Sequence, residues 1–279
     1  IYITTLTKKN SASYGWNLFG IPFNQSINLD DLEFNYQGTS YTFYEASSEG
    51  LIYGVVYHFD RENQQYIFLY QNTDTLNPGY GYWIKVFVQD IELWYLPSGT
   101  MDRENDQDSP RWSSWTANIS AFETGGSGET FIFGEDSSAT DGDDGPPLDI
   151  QHAPYPPPDL VIYSMMDSTK YSVDTRYGPD TSKTWDIYVE WKGSGSTTVT
   201  LTWDVSQIPS DEYASVILYD VESGTSTNMR SASSYGFTID SNEMHHFKII
   251  CTNKIYITTL TKKNSASYGW NLFGIPFNQ

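Results

Sequence analysis

The chain has 279 residues, with 35 acidic side chains against 15 lysines and arginines, and a formal net charge of −20 at pH 7. Such a surface repels polynucleotides, and the basic residues are scattered singly, so we expect neither a nucleic-acid partner nor attraction to an anionic membrane. The single cysteine, Cys251, excludes an intrachain disulfide and a cysteine-based metal site. No apolar run reaches the roughly 20 residues of a membrane span, so membrane insertion is not expected.

Short apolar runs separated by turn residues follow one another through residues 1–100. In QQYIFLY the aromatic residues alternate with Ile67 and Leu69, and this period of two is typical of a strand. Tyrosine, tryptophan and phenylalanine make up 16% of the chain, which also favours strands. These patterns predict an all-β N-terminal domain over residues 1–100, with YTFYEA among its strands and a single helical turn near Asp30.

A polar, charged and proline-bearing stretch, MDRENDQDSPRW, predicts an acidic linker over residues 101–111. Alternating runs resume over residues 112–254, among them WTANISAF, TWDIYVEW, TTVTLTWDV and HHFKIICT, with an acidic, proline-rich loop at residues 135–158. Short strands at regular spacing predict an immunoglobulin-like or fibronectin-like β-sandwich. The predicted fold class is therefore all-β, with two β-sandwich-like domains in tandem.

The last residues of the chain repeat the first. Residues 255–279 are identical to residues 1–25, so the sequence predicts one full unit followed by the first strands of the next. A segment of about two strands is marginal alone in water, and its unpaired edges favour pairing. We expect it either to continue covalently into another unit or to complete a sheet in a neighbouring molecule. A continuous fibre cut with an overlap is a third interpretation.

Both assembly modes place identical copies head to tail, and such a contact produces a filament when it does not close on itself. A covalent tandem array is favoured over separate strand-exchanging subunits, because an unchanged repeat is what recently copied DNA would encode. The residues expected to make the contact are Ile255, Ile257, Leu260, Trp270, Leu272 and Phe273.

Two groups of motifs carry a resemblance to known proteins. GWNLFGIPF and PGYGYWIKV together resemble a β-module of secreted and cell-surface proteins of bacteria and archaea, and VTLTWDVSQIP, VILYD and HFKII are similar to fibronectin type III or FlgD-like sandwich modules. The resemblance implies an exported prokaryotic scaffold, extracellular or at the cell surface, and no particular activity. Those modules are usually accessory parts of larger proteins, whereas here they form a unit that itself repeats.

The acidic stretch EDSSATDGDD is the candidate metal site. Asp136, Asp141, Asp143 and Asp144 could supply several of the roughly six to eight oxygen ligands of a structural Ca²⁺ ion, and no other cofactor is expected. The spacing is not that of an EF-hand loop. The alternative interpretation is a solvated acidic loop.

Sugars enter the sequence interpretation in two ways. Asn24 and Asn118 each begin an N-x-Ser sequon, so glycans are candidate attachments in an exported protein. Tyr80, Tyr82 and Trp83 could stack on sugar rings in the alternative function, a cell-surface adhesin or carbohydrate-binding stalk. A role of these aromatic residues in the core is the stronger interpretation.

No motif predicts an enzyme, since the chain has no GxSxG, GxGxxG or P-loop sequence. Cys251 lies in an apolar run and is expected to be buried in a strand. His245 and His246 would face opposite sides of a strand, so they could not share one metal ion. The sequence therefore predicts a non-enzymatic structural subunit or repeat of an extracellular filament, sheath or surface array that assembles with identical copies of itself.

Overall fold

The computed structural model describes residues 2–8, 15–22, 24–63, 65–71, 73–95, 115–126, 128–153, 159–180 and 182–252. The described chain is nearly all β, which confirms the predicted fold class. Its helical elements are a 3-10 turn at Leu29–Asp31, as predicted near Asp30, and helix α1 at Phe43–Ser48. None of the helices in these residues is long and apolar enough to cross a membrane. The predicted linker at 101–111 and the repeated segment at 255–279 lie outside the described residues.

The described residues between 2 and 95, called here the first unit, form two sheets of four strands and one short pair. The first sheet has the order β1-β10-β4-β5, the second sheet has the order β2-β9-β6-β7, and β3 pairs with β8. The strands are β1 (Tyr2–Leu6), β2 (Trp16–Gly20), β3 (Ile27–Asn28), β4 (Leu32–Tyr36), β5 (Thr39–Thr42), β6 (Ile52–Asp60), β7 (Gln65–Leu69), β8 (Thr75–Leu76), β9 (Gly81–Val86) and β10 (Ile91–Tyr95).

Side chains of both sheets share one apolar core in the first unit, for example Phe34 and Leu93 from the first sheet and Ile84 from the second. Helix α1 closes part of this core. The prediction of a strand through YTFYEA is wrong beyond Thr42, because Thr42 accepts a hydrogen bond from the Glu45 amide while the Glu45 carboxylate accepts one from the Thr42 amide. This reciprocal capping box begins a helix in place of the strand.

The described residues between 115 and 252, called here the second unit, form one continuous ladder of strands. Its order is β19-β18-β21-β16-β14-β15-β12-β11-β17-β20, and β13 pairs with β15. The strands are β11 (Trp115–Glu123), β12 (Gly128–Asp136), β13 (Asp149–Gln151), β14 (Leu160–Met166), β15 (Thr169–Tyr177), β16 (Ser182–Trp191), β17 (Thr197–Asp204), β18 (Ser215–Asp220), β19 (Ser226–Asn228), β20 (Ser234–Ile239) and β21 (Met244–Thr252).

This ladder folds over on itself at β15. The strand pairs antiparallel with β14 as far as Tyr171 and parallel with β12 from Val173 onward. Core residues come both from β11, β12, β17 and β20 and from β14, β16, β18 and β21, and the rings of Phe133 and Trp185 meet between the two halves at 5.1 Å. The second unit is thus a two-layered β-sandwich in which β15 belongs to both layers.

The two units also pack on each other. An apolar cluster, called here the interunit cluster, contains aromatic side chains of β6 and β7 together with residues of β13, β15 and the segment after β13. Its buried members are Tyr53, Val55, Tyr57, Tyr66, Ile150, Ala153 and Val173. The outer face of the second sheet is therefore covered by the second unit.

Tyrosine hydroxyls of β6 bind the backbone of β13 at this contact. The Tyr53 hydroxyl donates to the Asp149 carbonyl at 2.9 Å and accepts from the Gln151 amide at 2.8 Å. The Tyr57 hydroxyl donates to the Gln151 carbonyl at 2.6 Å, and the Lys85 ammonium donates to the Gln151 side chain at 2.6 Å. These four hydrogen bonds between the units all end on one short strand, β13.

Candidate functional site

The first copy of the repeated segment supplies an edge strand to each sheet of the first unit. In the described structure β1 pairs only with β10, with Leu6 opposite Ile91, and β2 pairs only with β9, with Phe19 opposite Tyr82. Both ladders are antiparallel. The seat of the segment therefore consists of the open sides of β10 and β9, and occupying it ties the two sheets together.

The Asn17 side chain links the two parts of the segment. Its amide nitrogen donates to the Gly15 carbonyl at 2.8 Å and to the Thr7 carbonyl at 3.3 Å, and its oxygen accepts from the Thr7 amide at 3.2 Å. The side chain thereby joins the residue after β1 to the residue before β2, much as a turn does with backbone groups.

Gly15 lies where the segment approaches its seat most closely. Its carbonyl accepts from the Val86 amide at 2.7 Å, and a Cβ atom built at Gly15 would be 1.7 Å from the Val86 carbonyl oxygen. Any larger residue would collide with backbone. The GWN sequence is explained by this close approach at Gly15 and by the side-chain link at Asn17.

The apolar side chains of the segment differ in burial. Leu6 and Phe19 are 1% and 6% exposed and lie in the core of the first unit. Trp16 packs against the interunit cluster, with its ring edge-to-face on Tyr57 at 5.1 Å. Leu18 is 60% exposed. Burial of a side chain such as Leu6 or Phe19 contributes about 1.5–3 kcal/mol, so these two residues hold the segment in its seat and Leu18 contributes little.

Each residue predicted to make the assembly contact repeats a residue of the first copy. Leu260 repeats Leu6, Trp270 repeats Trp16, Leu272 repeats Leu18 and Phe273 repeats Phe19, while Ile255 and Ile257 repeat Ile1 and Ile3. The second copy lies outside the described residues. The roles of the first copy lead us to expect anchoring by Leu260, Trp270 and Phe273, and not by Leu272.

The four aspartates proposed as calcium ligands have separate hydrogen-bond partners. Buried Asp136 accepts from the Ser138 amide and hydroxyl, Asp143 from the Tyr171 hydroxyl, Asp144 from the Thr140 amide and hydroxyl, and exposed Asp141 pairs with Lys183 at 3.0 Å. Among the described residues, the one group of three carboxylate, imidazole or thiol ligands within 4.8 Å of one another lies elsewhere. The structure does not bring the four aspartates together as ligands.

A buried carboxyl group ends the acidic loop. Asp149 accepts hydrogen bonds from the Asp144 amide at 2.8 Å and from the Thr175 amide at 3.0 Å. Burial nevertheless raises the pKa of Asp149 to about 7, and the carboxylates of Asp174 and Asp144 add to the shift. Because its carbonyl binds Tyr53, this titratable residue lies at the contact between the units.

The glycosylation and sugar-stacking candidates are placed as follows. Asn24 and Asn118 are both exposed, and Asn118 lies within β11; their glycosylation stays a prediction. Tyr82 is 1% exposed and its hydroxyl binds the Asn77 backbone, whereas Trp83 packs against the interunit cluster. Tyr80 is 52% exposed. Tyr82 and Trp83 thus face opposite sides of β9 and cannot form one platform for a sugar ring.

Cys251 is fully buried in β21, as predicted, and burial raises the pKa of its thiol to about 12. A thiol in this state holds almost no thiolate near neutral pH, and the thiolate is the reactive form. This cysteine is therefore part of the core of the second unit.

Sequence reasoning missed a buried contact between a histidine and a glutamate in the second unit. His152 Nε2 lies 2.8 Å from Glu129 Oε2, and His152 Nδ1 lies 2.7 Å from the Ala153 carbonyl oxygen. Burial opposes protonation of His152, but the Glu129 carboxylate outweighs it and raises the pKa of the imidazole. No spacing signal could have revealed the pair, since it depends on β12 lying beside the segment after β13.

No protein-family model matches the chain, and the comparisons with curated proteins and with solved structures gave no significant match. The resemblance of the GWN and PGYGYW stretches to exported β-modules, and of the second unit to immunoglobulin-like or fibronectin-like modules, therefore stays a prediction.

Proposed function

We propose that the chain is a structural repeat of an extracellular filament, sheath or surface array, in which successive repeats join head to tail through the repeated segment. The observation that carries this proposal is the position of the first copy. Residues 1–25 supply an edge strand to each of two sheets and bury Leu6 and Phe19 in the core. The segment is thus a structural part of a unit.

An identical second copy calls for a second seat. Within one chain the open sides of β9 and β10 are already paired with β2 and β1. Residues 255–279 would therefore pair with the equivalent strands of another repeat, either the next one along the same polypeptide or one in a neighbouring molecule. Along one polypeptide, residues 255–279 would be the first residues of the next repeat and would fill its seat, whereas in a neighbouring molecule they would have to replace that molecule's own residues 1–25. Either arrangement is a heterologous contact that builds a line of copies.

The packing of the two units supports a repeat that acts as a stiff element. Contacts between domains of one chain are often small and polar, and relative motion is then the default expectation. Here the contact combines the apolar interunit cluster with direct hydrogen bonds from Tyr53, Tyr57 and Lys85 to β13. Such a joint would pass orientation from one segment seat to the next. The adhesin alternative loses Tyr82 and Trp83 as a joint sugar platform.

The proposal can be tested by opening the seat. A chain that lacks residues 1–25 but keeps 255–279 has an empty seat and one donor segment, so we expect it to polymerise, as seen by sedimentation velocity and electron microscopy. Leu260→Asp in this deletion chain should block polymerisation, because its equivalent Leu6 is buried. Leu272→Asp is the matched control, because its equivalent Leu18 is exposed.

Monomers of the deletion chain, or equal polymerisation of the Leu260→Asp and Leu272→Asp variants, would contradict the proposed contact. The mass of native material under denaturing conditions then separates the two modes of assembly. A polypeptide many repeats long indicates a covalent tandem array, and a species with about the mass of one repeat indicates strand exchange between separate chains.

A further inference from the structure

Three side chains of the types that bind metal ions meet beside the turn between β18 and β19. Asp220 is the last residue of β18, Glu222 lies in the turn, and His245 lies on β21, the strand that pairs with β18. Their ligand atoms all lie within 4.8 Å of one another, and among the described residues they are the one such group. The group is distinct from the repeated segment and from the acidic loop.

The distances within the group suit a small divalent ion. His245 Nε2 lies 2.9 Å from Asp220 Oδ1 and 3.2 Å from Glu222 Oε2, so one ring nitrogen faces two carboxylates. Zinc bonds to nitrogen and oxygen of about 2.0–2.2 Å in a tetrahedron place neighbouring ligand atoms about 3.3–3.6 Å apart. Small side-chain movements would bring these atoms to that separation.

Hydrogen bonds fix the position of the Asp220 carboxylate. The Ser223 amide donates a hydrogen bond to Asp220 Oδ1 at 3.0 Å. The Tyr235 hydroxyl donates to Oδ2 at 2.7 Å and leaves Oδ1 facing His245. Partners of this kind orient metal ligands in known sites.

The other two ligands combine a fixed ring with an open side. The His245 ring lies against Phe237 at 4.4 Å and stacks on Phe247 at 4.6 Å, which restricts its rotation. The Glu222 side chain is 45% exposed, so solvent can reach the group. Three protein ligands with an accessible side match a zinc ion whose fourth ligand is water.

We propose that Asp220, Glu222 and His245 form a binding site for one divalent transition-metal ion of the zinc type. The ion would lie between His245 Nε2 and the two carboxylate oxygens that face it. Calcium is disfavoured, because it takes roughly six to eight oxygen ligands, whereas an imidazole nitrogen suits zinc. Bound here, the ion would fasten the β18–β19 turn to β21.

The neighbouring histidine provides a matched control. His246 faces the opposite side of β21, where its Nε2 lies 2.7 Å from Asp186 Oδ1 and its ring stacks on Tyr188 at 4.6 Å. Replacing His246 removes an imidazole from the same strand and leaves the proposed ligands in place.

The test is a calorimetric titration of the full chain with ZnCl₂ after treatment with EDTA and desalting. We expect one zinc ion per chain, a loss of affinity of about tenfold or more in His245→Ala, and wild-type affinity in His246→Ala. Glu222→Gln should also weaken binding, and since Glu222 is exposed this variant serves if His245→Ala does not fold.

The proposal is overturned if the wild-type chain binds no zinc, if His245→Ala and Glu222→Gln both bind as the wild type does, or if equimolar Ca²⁺ displaces the zinc. These outcomes are independent of the segment experiment, because no ligand lies in residues 1–25 or 255–279.

Discussion

The hydroxyl groups of Tyr57 and Tyr53 offer a direct measure of how firmly the two units are joined. Tyr57→Phe removes a fully buried donor that binds the Gln151 carbonyl at 2.6 Å and leaves the ring in place against Trp16 and Phe68. A net hydrogen bond contributes about 0.5–1.5 kcal/mol, and an unsatisfied buried partner costs about 1–3 kcal/mol. We therefore expect Tyr57→Phe to lower the free energy of unfolding by about 1–2 kcal/mol.

Tyr53→Phe should cost more, about 2–3 kcal/mol, because the Tyr53 hydroxyl serves both the Asp149 carbonyl and the Gln151 amide. Urea unfolding followed by tryptophan fluorescence and circular dichroism measures both variants, with exposed Tyr80→Phe as the control. If both variants stay within about 0.5 kcal/mol of the control, the scale of ordinary surface changes, the joint described here is wrong.

Three further predictions concern single residues. Burial raises the pKa of Asp149 to about 7 in the folded state, so the folded chain binds more protons than the unfolded chain between about pH 4 and 7. The contribution of Asp149 to the free energy of unfolding is therefore lost as the pH rises through this range. Asp149→Asn should make the urea concentration at the unfolding midpoint depend less on pH in that range. An unchanged pH dependence would contradict the raised pKa of Asp149. Gly15→Ala should lower the free energy of unfolding by about 3 kcal/mol or more, because the added Cβ atom would collide with Val86. Gly20→Ala is the control and should lower it far less, because the nearest contact of its Cβ atom is at 3.4 Å. Equal melting temperatures of the two variants would refute this prediction. Cys251 should react with a thiol reagent only after unfolding, and prompt labelling of the native chain would show that it is accessible.

Much of the β structure could be predicted from alternation, but two elements that have a signature in the sequence were missed. Strand β15 was missed although Tyr171 and Val173 alternate with Ser172 and Asp174, and the structure buries both sets of residues. Asp174 is accommodated there by its ion pair with Arg176. The polar residues of β15 therefore do not mark a face exposed to solvent, and the burial of both faces could not be predicted from the alternation. Helix α1 was missed although the T-x-x-E signature of a capping box was present in the sequence.

The sequence of β6 contains a pattern that indicates the contact between the two units. In β6 the run IYGVVYHF is apolar on both faces, which indicates a strand covered on both sides, and the structure places Val56 in the first core and Tyr57 in the interunit cluster. The candidate metal ligands have no such pattern. Asp220 and His245 are far apart in sequence, and only the pairing of β18 with β21 brings them together.

Strand β15 has a mechanical consequence. It is hydrogen-bonded to β14 in one layer of the sandwich and to β12 in the other, and its Val173 also packs against the first unit. Separating the two layers would therefore strain or break the backbone hydrogen bonds of β15. A pulling force applied to either layer or to the first unit is transmitted through β15 to the other two. We therefore expect the layers to unfold together and not one after the other.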